Sequence, residues 1–281
     1  LKKKIIFNKV DLNKDIKKLI KILNKEKPDI VINFAAQSIV EASWQSPKDW
    51  FKTNLLSNID LLEHLRKSKY LKKYIYSSTP EVYGSTKNKL RENFNYFPNT
   101  PYATSKASID MLMKNYFDQY DFPIIWTRIA NIYGPGQQIF KIIPKTIMSI
   151  KKNSKIPLHG GGKSKRSFIF SNDVSRALYL IAKNGIPGSI FHISGDQKIS
   201  IKKLIQIICK KMNANFDKLV KIQPDRPGKD FMYDMISNKI KKKLKWKTSI
   251  NLEEGISKTI NWVEKDYKIL KNYKMEYEHK K

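Results

Sequence analysis

Tyr102 and Lys106 are the pair in this sequence best suited to do chemistry. They stand four apart at the start of a helical stretch, so they share one face and the ammonium can sit beside the phenol. A neighbouring cation favours phenolate and lowers a tyrosine pKa, which would make Tyr102 a usable base toward a hydroxyl. The spacing alone also fits a surface pair in so lysine-rich a chain. The setting points the other way. Ser77-Ser78-Thr79-Pro80-Glu81-Val82-Tyr83-Gly84 lies upstream, at the end of an apolar run. Hydroxyls and carboxylates at the carboxyl end of a parallel strand are well placed for a ligand. Arg128-Ile129-Ala130-Asn131-Ile132-Tyr133-Gly134-Pro135 follows the next apolar run.

The elements that must position these groups alternate. Ile5 to Phe7 reads as a short strand, and Asp15 to Lys27 has apolar residues at helical spacing. Asp29 to Ala36 reads as a fully buried strand. Pro47 to Lys67 reads as one long helix opened by proline. Lys73 to Ser78 is the next strand, Pro101 to Tyr120 the next helix and Pro123 to Ile129 a further strand. Such alternation predicts an α/β fold, a parallel sheet covered on both faces. Beyond Gly134 the pattern loosens. Gly160-Gly161-Gly162 reads as a tight loop, Ser189 to Ile193 as a strand, and Ser200 to Met212 as a helix. Arg226-Pro227-Gly228 has turn chemistry. Asn251 to Lys265 is a helix with a capping-type start, Asn251 preceding Glu254 by three. The charged, aromatic tail from Asp266 is expected to fray.

A chain of 281 residues with a net charge of +30 invites a nucleic-acid reading. Only six of its 55 basic residues are arginine, and the lysines are scattered among isoleucine and asparagine. No arginine-and-aromatic patch appears, so no nucleic-acid partner is expected; the charge would instead speed encounter with a diphosphate. No apolar stretch is long enough to span a membrane. The single Cys209 fits a reducing cytoplasm and a buried structural thiol. His159 and His192 are isolated, and no metal site is expected.

These motifs, with Asn33-Phe34-Ala35-Ala36-Gln37-Ser38, Leu158-His159-Gly160, Arg166-Ser167-Phe168, Asp173-Val174 and Asp225-Arg226-Pro227-Gly228-Lys229-Asp230, make a set. The set resembles the extended short-chain dehydrogenases that act on nucleotide sugars, closest to the dTDP-glucose 4,6-dehydratase group, over roughly residues 5 to 265. The resemblance implies a Rossmann-type doubly wound sheet, NAD as cofactor, a nucleoside-diphosphate sugar as substrate and a homodimer. It implies that Thr79 contacts the sugar 4-OH, that Tyr102 is the base, and that Lys106 is its partner and holds the nicotinamide ribose. Glu81 looks like the carboxylate that removes the C5 proton. Asp11 and Leu12 resemble the pair that packs on adenine, and Ala35, Ala36 and Asn54 resemble residues lining the NAD site. Asn131, Lys141, Arg166 and Arg226 match positions that hold the diphosphate, where an arginine fork suits phosphate oxygens. Ala35 and Ala36 also read as plain strand residues, and Asp11 as a loop cap.

Two departures stand out. The family opens with a strand, a Gly-x-x-Gly-x-x-Gly loop and a helix whose amides hold the pyrophosphate, and no such motif occurs here. The chain is accordingly read as a fragment, expected to bind nucleoside diphosphates better than NAD and to be inactive by itself. The dehydratase group also usually has Thr-Asp-Glu where this chain has Thr79-Pro80-Glu81. GDP-mannose dehydratases resemble it in keeping the glutamate without that aspartate, and UDP-glucuronate decarboxylases keep a glutamate there too. The expected organisation is a truncated NAD-binding domain over residues 1–131 and about 164–194. A smaller substrate domain is expected over about 132–163 and 195–281. The expected reaction is NAD-dependent 4,6-dehydration through a transient 4-keto sugar. Epimerisation or decarboxylation by the same 4-keto strategy, a non-catalytic sugar-nucleotide-binding remnant and a polyanion binder are the alternatives.

Overall fold

The computed structural model describes residues 5–86, 88–225 and 233–279. In chain order its first half runs α1 (Ile16–Glu26), β1 (Ile30–Asn33), α2 (Val40–Gln45), α3 (Pro47–Phe51), α4 (Ser57–Leu65), β2 (Lys73–Ser78), β3 (Lys89–Leu90), α5 (Pro101–Tyr120) and β4 (Ile124–Ile129). Then come β5 (Asn131–Tyr133), α6 (Ile142–Lys151), β6 (Ile156–His159), β7 (Lys165–Phe170), α7 (Ser171–Asn184) and β8 (Ile190–Ile193). The last part holds β9 (Lys198–Ser200), α8 (Ile201–Lys211), α9 (Phe216–Leu219), β10 (Val220–Gln223), β11 (Asp234–Met235), α10 (Asn238–Leu244), α11 (Leu252–Lys265) and α12 (Tyr267–Leu270).

The main sheet has the order β1-β2-β4-β8 and every pairing in it is parallel. Strand alternation sends neighbouring side chains to opposite faces. Tyr74, Tyr76, Ile124 and Trp126 pack with Leu61, Leu62 and Leu65 of α4 and Ile109 and Met113 of α5. Ile75, Ile125 and Ile129 face the other way, onto Val174, Ala177 and Ile181 of α7 and Ile240 of α10. The sheet is thus doubly covered, and every residue of β4 is buried, as the continuous apolar run predicts.

Three expectations need correction. Ile5 to Phe7 forms no strand and is exposed. β1 is a sheet edge, not a fully buried strand: Val31 packs inward, but Ile30 and Ile32 on the opposite face are 38% and 41% exposed. The expected long helix after Pro47 is interrupted by a π-helical turn at Lys52–Leu56. Side chains supply the cause, because Ser57 Oγ donates to Lys52 O and Asn58 Nδ2 to Thr53 O and Asn54 O. Such turns widen a helix locally and are common near functional sites.

The remaining strands form small sheets beside the main one: β5-β7-β9, β6-β10 and β3-β11. α6, α8 and α11 share a core with Tyr133, Phe168 and Phe170. α8 and α11 start as the sequence predicts, Ser200 accepting from Lys203 N and Asn251 from Glu254 N. The tail after α12 runs through turns and bends, with Met275, Tyr277 and His279 half-buried and the residues between them exposed.

Candidate active site

Beyond the carboxyl ends of β2 and β4 lies a cleft of about 800 Å³. Thr79, Glu81, Tyr102, Asn131, Lys141 and Arg166 all line it. Thr79 follows β2 directly and stays extended, its hydroxyl accepting from Glu81 N at 3.4 Å. Pro80 starts a single 3₁₀ turn, Pro80–Tyr83, which Gly84 ends at φ +70°. A Cβ at Gly84 would fall 2.3 Å from Phe97 O, so no other residue closes this turn without strain. The turn brings the Thr79 hydroxyl onto the Glu81 carboxylate and the Tyr102 phenol.

Tyr102 is placed by the start of α5, where Thr100 accepts from Ala103 N at 3.1 Å and Pro101 opens the first turn. Lys106 lies one turn on, but its ammonium does not serve Tyr102 as expected. It reaches down to β2, donating to Tyr76 Oη at 2.5 Å and Ser77 O at 2.8 Å. The expected lowering of the Tyr102 pKa is likewise reversed. Burial raises it above the ordinary tyrosine value, the Glu81 charge raises it further, and the Thr79 hydrogen bond opposes both. Burial lowers Lys106 to about 8, against the pull of Asp110 and Glu81.

A buried polar network underlies this floor, and reading the motifs did not reveal it. Asp110, one turn beyond Lys106, is wholly buried. It accepts from Ser78 Oγ at 2.6 Å and from Arg128 at 3.4 Å. Arg128, also wholly buried, lies 4.2 Å from the Tyr83 ring and donates to Asn93 O. Tyr83 Oη meets His192 Nε2 at 2.7 Å. Burial, then the Arg128 charge, lowers His192 to about 3, so its ring is neutral at ordinary pH. The available signal was the helical repeat: Tyr102, Lys106 and Asp110 share one face.

Tyr233 is the other residue missed. Its hydroxyl is 3.2 Å from Glu81 Oε1 and 3.3 Å from Asn131 Oδ1, and the Arg166 guanidinium lies 4.9 Å over its ring. It joins Glu81 to Asn131 and Arg166. Its only signal is its place just after the Asp225–Asp230 motif. Asn131 and Arg166 come from adjacent parallel strands, with Asn131 opposite Phe168. Lys141 precedes α6, and burial lowers its pKa. Arg226 lies outside the described residues.

Of the residues expected around NAD, Tyr102 lines this cleft, whereas Asp11, Leu12, Ala35, Ala36 and Asn54 do not. Ala35 is exposed and Ala36 half-buried just past the carboxyl end of β1. Their small side chains leave backbone accessible to a flat group. Asp11 is exposed, and one of its oxygens accepts from Asn13 N at 2.8 Å in a local turn. Leu12 packs against the α4 side of the core. Asn54 is wholly buried in the π turn. Its amide bonds Gln37 N, Gln37 O and Ser105 Oγ, so it ties the loop after β1 to α5. Small residues at one strand end, with Lys106 and Tyr102 beside the next, fit a dinucleotide laid across the sheet's carboxyl edge.

Residues 1–259 match the family described as GDP-mannose 4,6 dehydratase. The chain belongs to this family. Within the 4,6-dehydratases, it is 36% identical to the human dTDP-D-glucose 4,6-dehydratase over 258 residues, 89% of this chain and 73% of that protein. It is 31% identical to the Escherichia coli dTDP-glucose 4,6-dehydratase over 270 residues, 86% of this chain and 75% of that one. Among solved structures, the dehydratase DesIV from Streptomyces venezuelae, with NAD bound, superposes with a TM-score of 0.87 at 28% identity. That match covers 92% of this chain and 79% of DesIV. The likeness to DesIV is one of overall fold.

Proposed function

We propose that the protein is an NAD-dependent nucleotide-sugar 4,6-dehydratase. The observation that carries the reading is the convergence of Thr79, Glu81 and Tyr102 on one cleft that also holds Asn131, Lys141 and Arg166. The first three groups handle protons. The last three suit a diphosphate, with a guanidinium and an ammonium for its charge. NAD supplies a reversible store for a hydride.

Tyr102 takes the proton of the sugar 4-OH, with Thr79 hydrogen-bonded to both the phenol and Glu81. The C4 carbonyl so formed acidifies the C5–H bond, which Glu81 breaks as base. The C6 hydroxyl leaves as water, taking the proton Glu81 removed from C5. The hydride removed from C4 is returned at C6, and C5 regains a proton that balances the one Tyr102 took from the 4-OH. Burial and Glu81 favour the protonated form of Tyr102, so a positive charge nearby is what would favour its phenolate. Lys106 orients the floor through Tyr76 and Ser77, and on this reading its ammonium meets the cofactor ribose. Ala35, Ala36, Asp11 and Leu12 form the cofactor side, with Asn54 holding the loop that follows Ala36 through Gln37. Arg226 completes the diphosphate set.

The proposed organisation is an NAD-binding domain over residues 1–131 and about 164–194. A substrate domain occupies about 132–163 and 195–281. A cytoplasmic homodimer is part of the same reading: Trp44, Leu56 and Met111 are large apolar side chains left exposed on α2, the π turn and α5. Among the described residues no helix is long and apolar enough to cross a membrane.

The test is product analysis, in a form that turns over nucleotide sugar, with dTDP-glucose, UDP-glucose, GDP-mannose and UDP-glucuronate, each deuterated at C4. Dehydration places the deuterium at C6 of a 4-keto-6-deoxy sugar. An epimer with deuterium still at C4, or a decarboxylated pentose, would replace this reading with another reaction of the 4-keto kind.

A further inference from the structure

The tail lines the cleft with Glu276 and Tyr277. In it, Met275, Tyr277 and His279 are half-buried and the residues between them exposed. At one end it is held by α6, where Lys145 Nζ meets Glu276 Oε1 at 2.6 Å, and by the Phe140 ring, 5.4 Å from Tyr277. At the other it is held by α3. His279 Nε2 is 2.7 Å from Asp49 Oδ2, and its ring lies 5.0 Å from that of the buried Trp50. Between these anchors the Tyr277 hydroxyl is 3.3 Å from Gln37 Oε1, in the loop that Asn54 fastens.

Tyr277 packs against the apolar cluster that contains Tyr102, and it lines the cleft together with Glu276. We infer that residues 275–279 are a wall of the substrate site and that Tyr277 is a binding residue for the hexose. This rests on the nucleotide-sugar reading above. Tyr277 packs on the cluster that holds Tyr102 and lines the same cleft, so its ring stands beside the group assigned to the sugar 4-OH. An aromatic face suits the C–H surface of a pyranose, and its hydroxyl is already engaged by Gln37. The segment also screens the reacting carbons from water, which strengthens the electrostatics inside.

The wall predicts an effect that depends on the sugar. Calorimetry compares dTDP-glucose and UDP-glucose with dTDP and UDP on the wild-type chain and on Tyr277→Ala. The variant should weaken the better nucleotide sugar about tenfold, the scale of one lost packed aromatic contact, and the matching diphosphate less than about twofold. Tyr277→Phe, which keeps the ring and loses only the Gln37 bond, should fall between. Hydrogen exchange on the wild-type chain gives a readout free of any folding defect. Amides of residues 275–279 should be protected by the nucleotide sugar more than by the diphosphate. Equal weakening of both ligands, or equal protection by both, overturns the wall while leaving the nucleotide-sugar reading intact. Failure of the wild-type chain to bind either ligand overturns that reading and the wall with it.

Discussion

Replacing Asp110 with asparagine keeps the shape of a buried side chain and removes its charge. Two cations depend on that charge. Arg128 is wholly buried and Lys106 is 1% exposed. Asp110 bonds the first at 3.4 Å, and its charge raises the pKa of the second. Removing one partner of a buried pair costs roughly 3–5 kcal/mol, because the other charge stays behind. The 3.4 Å separation is loose, and Arg128 retains Asn93 O and the Tyr83 ring, so the lower end, about 3 kcal/mol, is expected. With a urea m-value of about 3 kcal/mol/M, the unfolding midpoint should fall by roughly 1 M. The loss should depend on pH. Lys106 already titrates at about 8, below its unfolded value, so its contribution to stability rises with pH between the two. Without Asp110 that folded pKa drops further, and the rise begins earlier. The deficit of the variant should therefore be larger at about pH 6 than at about pH 8.5. Urea titration followed by circular dichroism at both pH values measures it. A midpoint within about 0.2 M of wild type at the lower pH would refute the reasoning, since it would mean the two cations do not need the carboxylate.

Tyr102→Phe keeps the ring and loses the base; in a form that turns over nucleotide sugar, kcat should fall at least about a hundredfold. Tyr233→Phe keeps the ring under Arg166 but unlinks Glu81 from Asn131. It should lower kcat roughly tenfold and change the Kd for nucleoside diphosphate by less than about twofold, read by steady-state kinetics and calorimetry. Gly84→Ala forces a side chain onto Phe97 O at positive φ, and should cost about 2 kcal/mol or more in urea unfolding. Light scattering at tens of micromolar should give the mass of a dimer, and a monomer would count against the exposed apolar helices as a pairing face.

The strands and helices of the first half were legible because their periods are unmixed. The alternation of Tyr74, Ile75 and Tyr76 maps directly onto two separate cores. The π turn was not legible, since it arises from Ser57 and Asn58 side chains bonding backbone, and apolar spacing does not register that. β1 misled for a related reason: an isoleucine-rich run reads as buried whether or not its outer face is covered. At the site, the motif residues of the cleft came together as expected. The Tyr102–Lys106 pairing did not, because sharing a helix face fixes where a side chain starts and not where a four-carbon stem ends. Tyr233 and Tyr277 contribute through tertiary contacts across 102 and 240 residues of sequence, to Asn131 and Gln37, and no local pattern encodes such distances. The charged, aromatic tail was expected to fray, and its contacts with α6, α3 and Gln37 are again tertiary.

Pro80 was first notable for the carboxylic acid it lacks. In the folded chain it is a buried brace between the two residues that flank it, at the start of the turn Thr79 caps. Its ring fixes one of the few torsions that separate the Thr79 hydroxyl from the Glu81 carboxylate. Much of the freedom these groups would lose on meeting a substrate is already absent from the disordered chain. The cost of aligning them is therefore met at synthesis and not at each turnover. A residue with no reactive group thereby sets how little the two reactive ones have to move.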